Sequence, residues 1–324
     1  MTSLRELVDA TNAPLMDPVR NRTIGTSPPR YELYHFALSL CSQKVRLVLA
    51  ETGADYAAHD INLSLPSLAN YEPAYVRLRL EGRGEAPLVS GYTGGSSTTT
   101  EGFDPAVVPT LVDLEREEVV VDSLRICRHV DREAGGALVP DTLRDAIVRE
   151  LDLVDRTPHV ALFYGAHPDA DVRPERLRKG MPGVHDRKIA KLRMARERAA
   201  GDALLEAAYD AKIAKEEAAR GFVGTPERMR AALAETLELV GGLEGRLGEG
   251  PFLFGARYTL ADVFWAVSLH RLRWLGMAFA WEGGHALHGE TRPRVGAYVS
   301  RLVARPAFRA ACIEWPLMPP SEHL

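Results

Sequence analysis

The pattern of apolar and polar positions predicts a β-α-β unit near the start of the chain. Residues 31–36 alternate in polarity and are rich in aromatic side chains, which is typical of a strand. Apolar residues then recur at helical spacing over residues 43–52, and Gly53 ends this helix. A second strand is predicted near residues 56–63. Cys41 therefore lies where the first strand passes into the first helix.

A second segment with the strand pattern begins at residue 107. Residues 107–113 and 119–121 predict two strands joined by a turn, and a helical pattern follows them. The proline at position 109 would normally count against the first of these strands. We therefore expect either an edge position or a cis bond between Val108 and Pro109.

The helix after these strands begins at Asp122 and Ser123. Asp and Ser are favoured N-cap residues, so capping is one role for this pair. The same helix end can hold an α-amino or carboxylate group of a ligand, and the two roles are compatible. Cys127 lies on the apolar face of this helix, and we predict that it is a core residue.

From about residue 140 the sequence predicts helices only. Thr259 and Asp262 have the spacing of a capping box before an apolar run, so Asp262 is predicted to be structural. Residues 166–183, rich in proline and charge, predict a loop, and the basic segment 173–198 predicts a solvated helix face. The main predicted helices are 151–154, 189–217, 226–247 and 260–275.

Composition narrows the class of protein. The 324 residues suit one large domain or two modest ones, and a net charge of -4 does not favour nucleic-acid binding. The sequence has no apolar run of membrane-spanning length and no stretch typical of a signal peptide, so we expect a cytoplasmic protein. Its three cysteines show no CxxC spacing, which argues against a disulfide framework or a cysteine-built zinc site.

Cys41 is the candidate catalytic residue. The first turn of a helix carries unpaired N–H groups and the positive end of the helix dipole, a setting that favours a cysteine as thiolate. Ser39, Ser42 and Lys44 add two hydroxyls and a cation nearby. An equally good interpretation makes Cys41 a small buried apolar residue and Ser42 the N-cap.

Two other features have alternative interpretations. Residues 90–102 are rich in Gly, Ser and Thr but lack the Gly-Lys-Ser/Thr ending of a phosphate-binding loop. A flexible surface loop is favoured for them, unless they pack near Cys41 and form a lid. His159, His167 and His185 fit no metal-ligand spacing, so we expect no metal.

The motifs together resemble a known family. A Ser-x-Cys-Ser helix start, Val-Pro-Thr-Leu at 108–111, Asp-Ser-x-x-Ile at 122–126 and the 251–262 segment resemble the glutathione transferase superfamily. The segments at 39–46, 75–78, 92–105 and 157–165 resemble its glutathione-dependent hydroquinone reductive dehalogenases, including those acting on tetrachlorohydroquinone and 2,5-dichlorohydroquinone.

The resemblance implies a reaction and its central residue. Glutathione would displace chloride from a chlorinated hydroquinone. Cys41 would then attack the glutathionyl sulfur and be left in a mixed disulfide, which a second glutathione resolves. Ser39 and Ser42 would be hydrogen-bond donors to a thiolate.

Binding residues carry over by position. Glutathione would pair with the backbone of Val108 before Pro109, and its γ-glutamyl end would lie at Asp122 and Ser123. Lys44 would meet a carboxylate of glutathione, although a solvent-facing helix lysine is an equal alternative.

A pocket for the second substrate is implied between the two halves of the chain. Candidate lining residues are His35, Phe36, His159, Tyr164 and Trp274, each of which could instead be a simple core residue.

The resemblance also implies the architecture: α/β plus all-α, a glutathione transferase fold with a thioredoxin-like N-terminal domain and a helical C-terminal domain. We expect an extension at 1–30, a glutathione-binding domain at 31–135 with an insert at 79–105, and a helical substrate domain at 140–324. A homodimer is implied, with no nucleic-acid or membrane partner. A glutathione lyase, β-etherase or thiol transferase for another aromatic substrate, and a non-catalytic binding protein, remain alternatives.

Overall fold

The first half of the chain is built on one mixed five-stranded sheet. In the computed structural model, which describes residues 3–319 except Met16, Ser27, Ser96 and Ser97, the strand order is β1-β3-β2-β4-β5. The β2–β3 pair is parallel and the other pairs are antiparallel. The strands are β1 (Arg22–Ile24), β2 (Tyr31–His35), β3 (Tyr56–Asp60), β4 (Thr110–Asp113) and β5 (Glu118–Val121).

Fifteen α-helices within the described residues account for most of the remaining chain. The expected α/β half followed by a helical half is confirmed. The helices are α1 (Leu4–Asn12), α2 (Leu40–Thr52), α3 (Pro73–Glu81), α4 (Thr98–Glu101), α5 (Ser123–Glu133), α6 (Arg144–Asp155), α7 (His159–Tyr164), α8 (Glu175–Gly180), α9 (Val184–Arg198), α10 (Ala203–Val223), α11 (Pro226–Arg246), α12 (Leu260–Trp274), α13 (Phe279–Glu282), α14 (Pro293–Val303) and α15 (Pro306–Phe308).

The sheet is covered on both faces because its side chains alternate between two apolar clusters. Leu33 packs in a cluster with residues of α2, α5 and α12, whereas its neighbour Tyr34 packs in a cluster with α1, α3 and α10. Helix α2 ends at Gly53, whose φ of 67° is the left-handed conformation that favours glycine.

The bond between Val108 and Pro109 is cis, as expected, and Pro109 precedes β4 rather than interrupting it. Cys127 is fully buried in the core, which confirms its predicted role. The capping box of α12 is also confirmed, because the Asp262 carboxylate accepts hydrogen bonds from the Thr259 N–H and hydroxyl, both at 2.8 Å.

The helical half departs from prediction in several places, and α6 begins at Arg144 instead of residue 151. The expected helix 189–217 is two helices, since α9 ends at Arg198 and α10 begins at Ala203. Gly201, with a φ of 90°, turns the chain between them, and the Asp202 side chain caps α10. Part of the expected loop 166–183 forms α8.

The first 30 residues contain regular structure that the sequence did not indicate. Helix α1 is held by a capping box between Ser3 and Glu6, and it packs on α3. Strand β1 adds an antiparallel edge to the sheet beside β3. The domain limits proposed from the sequence stay a prediction. No helix among the described residues has the length and apolar character to cross a membrane.

Candidate active site

Cys41 is the second residue of α2 and is partly exposed. The N-cap is Ser39, whose Oγ accepts a hydrogen bond from the Ser42 N–H at 3.3 Å. Ser42 is fully buried, and its Oγ accepts from the Phe36 N–H at 3.3 Å. The structure thus corrects the interpretation of Ser42 as the N-cap. The structure places Cys41 at the positive end of the α2 dipole.

Cys41 lines a narrow cavity of about 20 Å³ between the sheet half and the helical half. Five residues singled out from the sequence meet there: Cys41, Lys44, Asp122, Ser123 and His159. The other lining residues are Leu40, Gly95, Val154, Asp155, Thr157 and Val160.

Lys44 is buried, which excludes the solvent-facing alternative. Its Nζ lies 2.7 Å from Asp155 Oδ1 and 4.1 Å from the centre of the Phe264 ring. Burial lowers the pKa of Lys44, but the charges of Asp155 and Cys41 outweigh that effect and the net shift is upward. Lys44 therefore stays protonated at neutral pH, in an ion pair with Asp155 on the same cavity wall.

Asp122 caps α5 through Oδ1, which accepts from the N–H groups of Leu124 at 3.0 Å and Arg125 at 3.4 Å. Its φ of 73° is one that residues with side chains rarely adopt. Such strain is concentrated at functional sites. Because Asp122 supplies the cap, the hydroxyl of Ser123 is not needed for capping and lies beside the cavity.

His159 is buried and forms part of the cavity wall. Its Nε2 lies 2.7 Å from Ser268 Oγ on α12. Burial, and then the charges of Lys44 and Arg271, hold its pKa well below the usual value, so the ring is neutral. Two buried atoms on this wall, His159 Nδ1 and Thr157 Oγ1, have no hydrogen-bond partner in the described part of the chain. Buried polar atoms without a partner are uncommon in folded proteins.

Arg271 contacts the segment around Cys41 and was missed by sequence reasoning. It is buried, and its Nη2 donates to the Leu38 carbonyl and to Gln43 Oε1, the latter at 3.1 Å. Burial lowers the pKa of Arg271 to about 10, and the charge of Cys41 opposes that shift. A cation within the apolar run of α12 was the only signal in the sequence.

Comparison with known proteins gives the family of the chain. Residues 38–133 match the glutathione S-transferase N-terminal domain, and residues 199–301 match the C-terminal domain. A 2,5-dichlorohydroquinone reductive dechlorinase from Sphingobium indicum is 46% identical over 98% of this chain and 94% of its own. This chain belongs to the glutathione S-transferase family.

Two further relatives fit this assignment. The tetrachloro-p-hydroquinone reductive dehalogenase of Sphingobium chlorophenolicum is 26% identical, covering 87% of this chain and 96% of its own. The fold is shared with a theta-class glutathione S-transferase of Xanthomonas axonopodis pv. citri, solved with glutathione bound. That structure has a TM-score of 0.50 and 18% identity over 88% of this chain and 98% of its own.

Several residues predicted for the transferase site lie elsewhere. His35 is fully buried beneath α2, where its Nδ1 lies 3.1 Å from Arg46 Nη1. Strand alternation turns this side chain into the core instead of toward Cys41. Phe36 packs against both apolar clusters, and Trp274 is a core residue stacked on Phe163.

Three other predicted residues also lie off the cavity wall. Tyr164 lines a different pocket. Val108 is buried and does not line the cavity, and the Pro109 carbonyl accepts a hydrogen bond from Arg79 at 2.6 Å. The role of the Val108 backbone in binding glutathione stays a prediction.

The described residues of the Gly-rich segment 90–102 pack against the helical half, which differs from the flexible surface loop that was favoured. Gly94 and Gly95 are buried, and the Gly94 carbonyl accepts from the Ala161 N–H at 2.9 Å. Tyr92 packs edge-on against Phe222 of α10. Gly95 reaches the wall of the Cys41 cavity, which was the condition set for a lid.

The basic segment 173–198 is also different from prediction, because not all of its cations are solvated. Arg173 is buried against Asp171, and Lys188 is buried beside Glu216. Over the described ranges, no three His, Cys, Asp or Glu side chains are grouped so that they could hold a metal ion.

Proposed function

We propose that this protein is a glutathione-dependent reductive dehalogenase of chlorinated hydroquinones that works through a Cys41–glutathione mixed disulfide. The observation that carries the proposal is the cysteine at the start of α2, lining one cavity with Lys44, Ser123 and His159. The near full-length relative named as a dechlorinase supports the substrate class.

The reaction is balanced with two glutathiones and one protein thiol. A glutathione thiolate attacks the chlorinated carbon of the keto tautomer of the hydroquinone, and chloride leaves. The Cys41 thiolate then attacks the glutathionyl sulfur; the carbon–sulfur bond breaks and the aromatic carbon takes a proton. A second glutathione attacks the mixed disulfide, which releases oxidised glutathione and restores Cys41. The substrate is reduced and two glutathione thiols are oxidised.

Cations near Cys41 suit the anions of this cycle. Lys44 is buried at the cavity, and Arg271 interacts electrostatically with Cys41. Ser39 and Ser42 accept hydrogen bonds from backbone N–H groups, and each hydroxyl keeps its hydrogen to donate. They therefore remain our candidates for hydrogen-bonding a thiolate.

For glutathione, we propose that the γ-glutamyl group lies at Asp122 and Ser123, with the Val108 backbone pairing its cysteinyl unit. For the hydroquinone, the buried unpaired atoms of Thr157 and His159 would meet a hydroxyl group. A cavity of about 20 Å³ has room for a single water, so a substrate ring requires its walls to separate. Gly95 of the insert is the wall residue that a lid would move.

The test is intact-protein mass spectrometry after mixing the enzyme with 2,5-dichlorohydroquinone and one equivalent of glutathione, with chloride assayed in parallel. We expect chloride release and one glutathione adduct on Cys41. If glutathione binds but neither chloride nor the adduct appears, the result would indicate an enzyme for another aromatic substrate, such as a β-etherase, lyase or thiol transferase. Absence of glutathione binding would indicate a non-catalytic protein.

A substitution at Ser123 separates glutathione binding from folding. Ser123→Ala is expected to weaken glutathione binding about tenfold, because one hydrogen bond to a charged group is lost while Asp122 still caps α5. Calorimetric titration with glutathione measures this change. Ser300→Ala, on an exposed face of α14, is the matched control and should bind normally. Equal affinity in both variants would remove Ser123 from the site.

We also propose a cytoplasmic homodimer without nucleic-acid or membrane partners. The family resemblance supports the dimer, and the modest net charge of -4 supports the absence of a nucleic-acid partner. Sedimentation equilibrium of the purified protein tests the oligomeric state.

A further inference from the structure

A second pocket lies in the helical half and shares no lining residue with the Cys41 cavity. Its volume is about 270 Å³. The walls come from the end of α7, the segment that leads into α9, the first turn of α9 and the end of α10. The catalytic cycle proposed above makes no use of it.

One wall of this pocket holds an unsatisfied histidine. His185 is buried, and its Nδ1 lies 2.8 Å from Glu216 Oε2. Burial raises the pKa of Glu216, but Lys188 and Lys212 reverse this and hold it well below the usual value. An ionised carboxylate only accepts hydrogen bonds, so the hydrogen of this contact lies on His185 Nδ1, and in that tautomer Nε2 carries a lone pair. That Nε2 has no hydrogen-bond partner among the groups described.

A donor lies next to this acceptor. The ring of Tyr164 also lines the pocket, with its centre 5.0 Å from that of His185. Lys188 Nζ lies 2.9 Å from the Tyr164 hydroxyl. Because an ammonium group has no lone pair, the tyrosine oxygen accepts this bond and its O–H remains available to donate.

The rest of the lining is mainly apolar and offers no unpaired charge. Arg173 is satisfied by Asp171 and the Phe163 carbonyl, and Arg220 pairs with Asp186 at the exposed mouth. A ligand for this pocket is therefore neutral, with an apolar body. The apolar lining side chains are those of Ala166, Met181, Pro182, Val184 and Val223.

Size limits the ligand further. A dry protein cavity of roughly 150 Å³ holds a benzene molecule. A pocket of about 270 Å³ thus accommodates a benzene ring with small substituents. We propose that this pocket is a second binding site for a neutral single-ring phenol, whose hydroxyl donates to Nε2 of His185 and whose oxygen accepts from Tyr164. This goes beyond the proposed function, since it assigns a site away from Cys41.

The test is calorimetric titration with 4-chlorophenol, and with 4-chloroanisole as the analogue without a hydroxyl hydrogen. His185→Asn retains an N–H that can reach Glu216 but removes Nε2. We expect it to weaken 4-chlorophenol binding at least tenfold and to leave 4-chloroanisole unchanged. His167→Asn, a histidine outside the pocket lining, is the matched control and should bind 4-chlorophenol like the wild type.

A second variant tests the site without altering His185. Ala166→Phe puts a ring into the pocket, and we expect it to abolish the same binding while glutathione-dependent chloride release continues. Thermal unfolding shows whether each variant is folded, and Ala166→Phe decides the result if His185→Asn does not fold. Unchanged 4-chlorophenol affinity in the folded variants, or equally tight binding of 4-chloroanisole, would overturn the proposal. If the wild type releases no chloride, the proposed function is wrong, but the proposal for the second pocket is unaffected.

Discussion

Cys41→Ser is expected to lower glutathione-dependent dechlorination by roughly a thousandfold or more. The oxygen of serine cannot attack the glutathionyl sulfur to form a disulfide, so the carbon–sulfur bond of the conjugate is not cleaved reductively. Serine is nearly isosteric and is well tolerated in the first turn of a helix. The N-cap at Ser39 should persist in the variant, and glutathione should still bind.

Two measurements separate this mechanism from a loss of folding. Chloride release and hydroquinone formation give the rate, and mass spectrometry asks whether a glutathione conjugate of the substrate accumulates. Cys127→Ala is the matched control, because Cys127 is fully buried in the core and has no role in the cycle. It should keep its activity at temperatures where it is folded. Wild-type turnover in Cys41→Ser would rule out the mixed-disulfide mechanism.

Local patterns predicted the parts of the site that are close in sequence. The β-α-β pattern placed Cys41 at a helix start, and the Asp122-Ser123 pair marked the beginning of α5. Each depends on capping and periodicity over a few residues. Gly201 and Asp202 carry the same kind of signal, a turn residue followed by an N-cap, and would have divided the helix predicted over 189–217.

Contacts between distant parts of the chain were not predictable in this way. Lys44 meets Asp155 across 111 positions, and His159 meets Ser268 across 109. No local pattern indicates such partners, because they depend on how the helical half packs on the sheet. His35 depends on the same packing, since it was a candidate for the substrate pocket and the structure buries it under α2 beside Arg46.

The insert is held to the helical half by a buried network of charges. Lys212 Nζ lies 2.8 Å from Asp104 and 3.1 Å from Glu216, and Lys215 Nζ lies 2.8 Å from Glu101. Lys188 completes the network at 3.4 Å from Glu216. Its three ammonium groups balance three carboxylates, so the removal of one carboxylate leaves an excess positive charge away from water.

Glu216→Gln is therefore expected to lower the free energy of unfolding by about 3–5 kcal/mol at pH 7. The amide cannot neutralise Lys188 and Lys212, and it also removes the carboxylate that His185 contacts. Urea denaturation of both proteins measures the loss. Glu217→Gln is the matched control from the next position, where an exposed pair with Arg193 at 3.3 Å contributes about 0–1 kcal/mol.

The effect should depend on pH with a definite sign. The folded pKa of Glu216 lies well below its usual value of 4.5, so its contribution is fully present above about pH 4.5. That contribution is lost as the pH falls from there toward the folded pKa. The stability difference between the wild type and Glu216→Gln should accordingly shrink below about pH 4.5, whereas Glu217→Gln should stay near the wild type throughout. Equal losses in the two variants at pH 7 would show that water or rearrangement compensates the buried network, and that the insert is anchored by its apolar contacts instead.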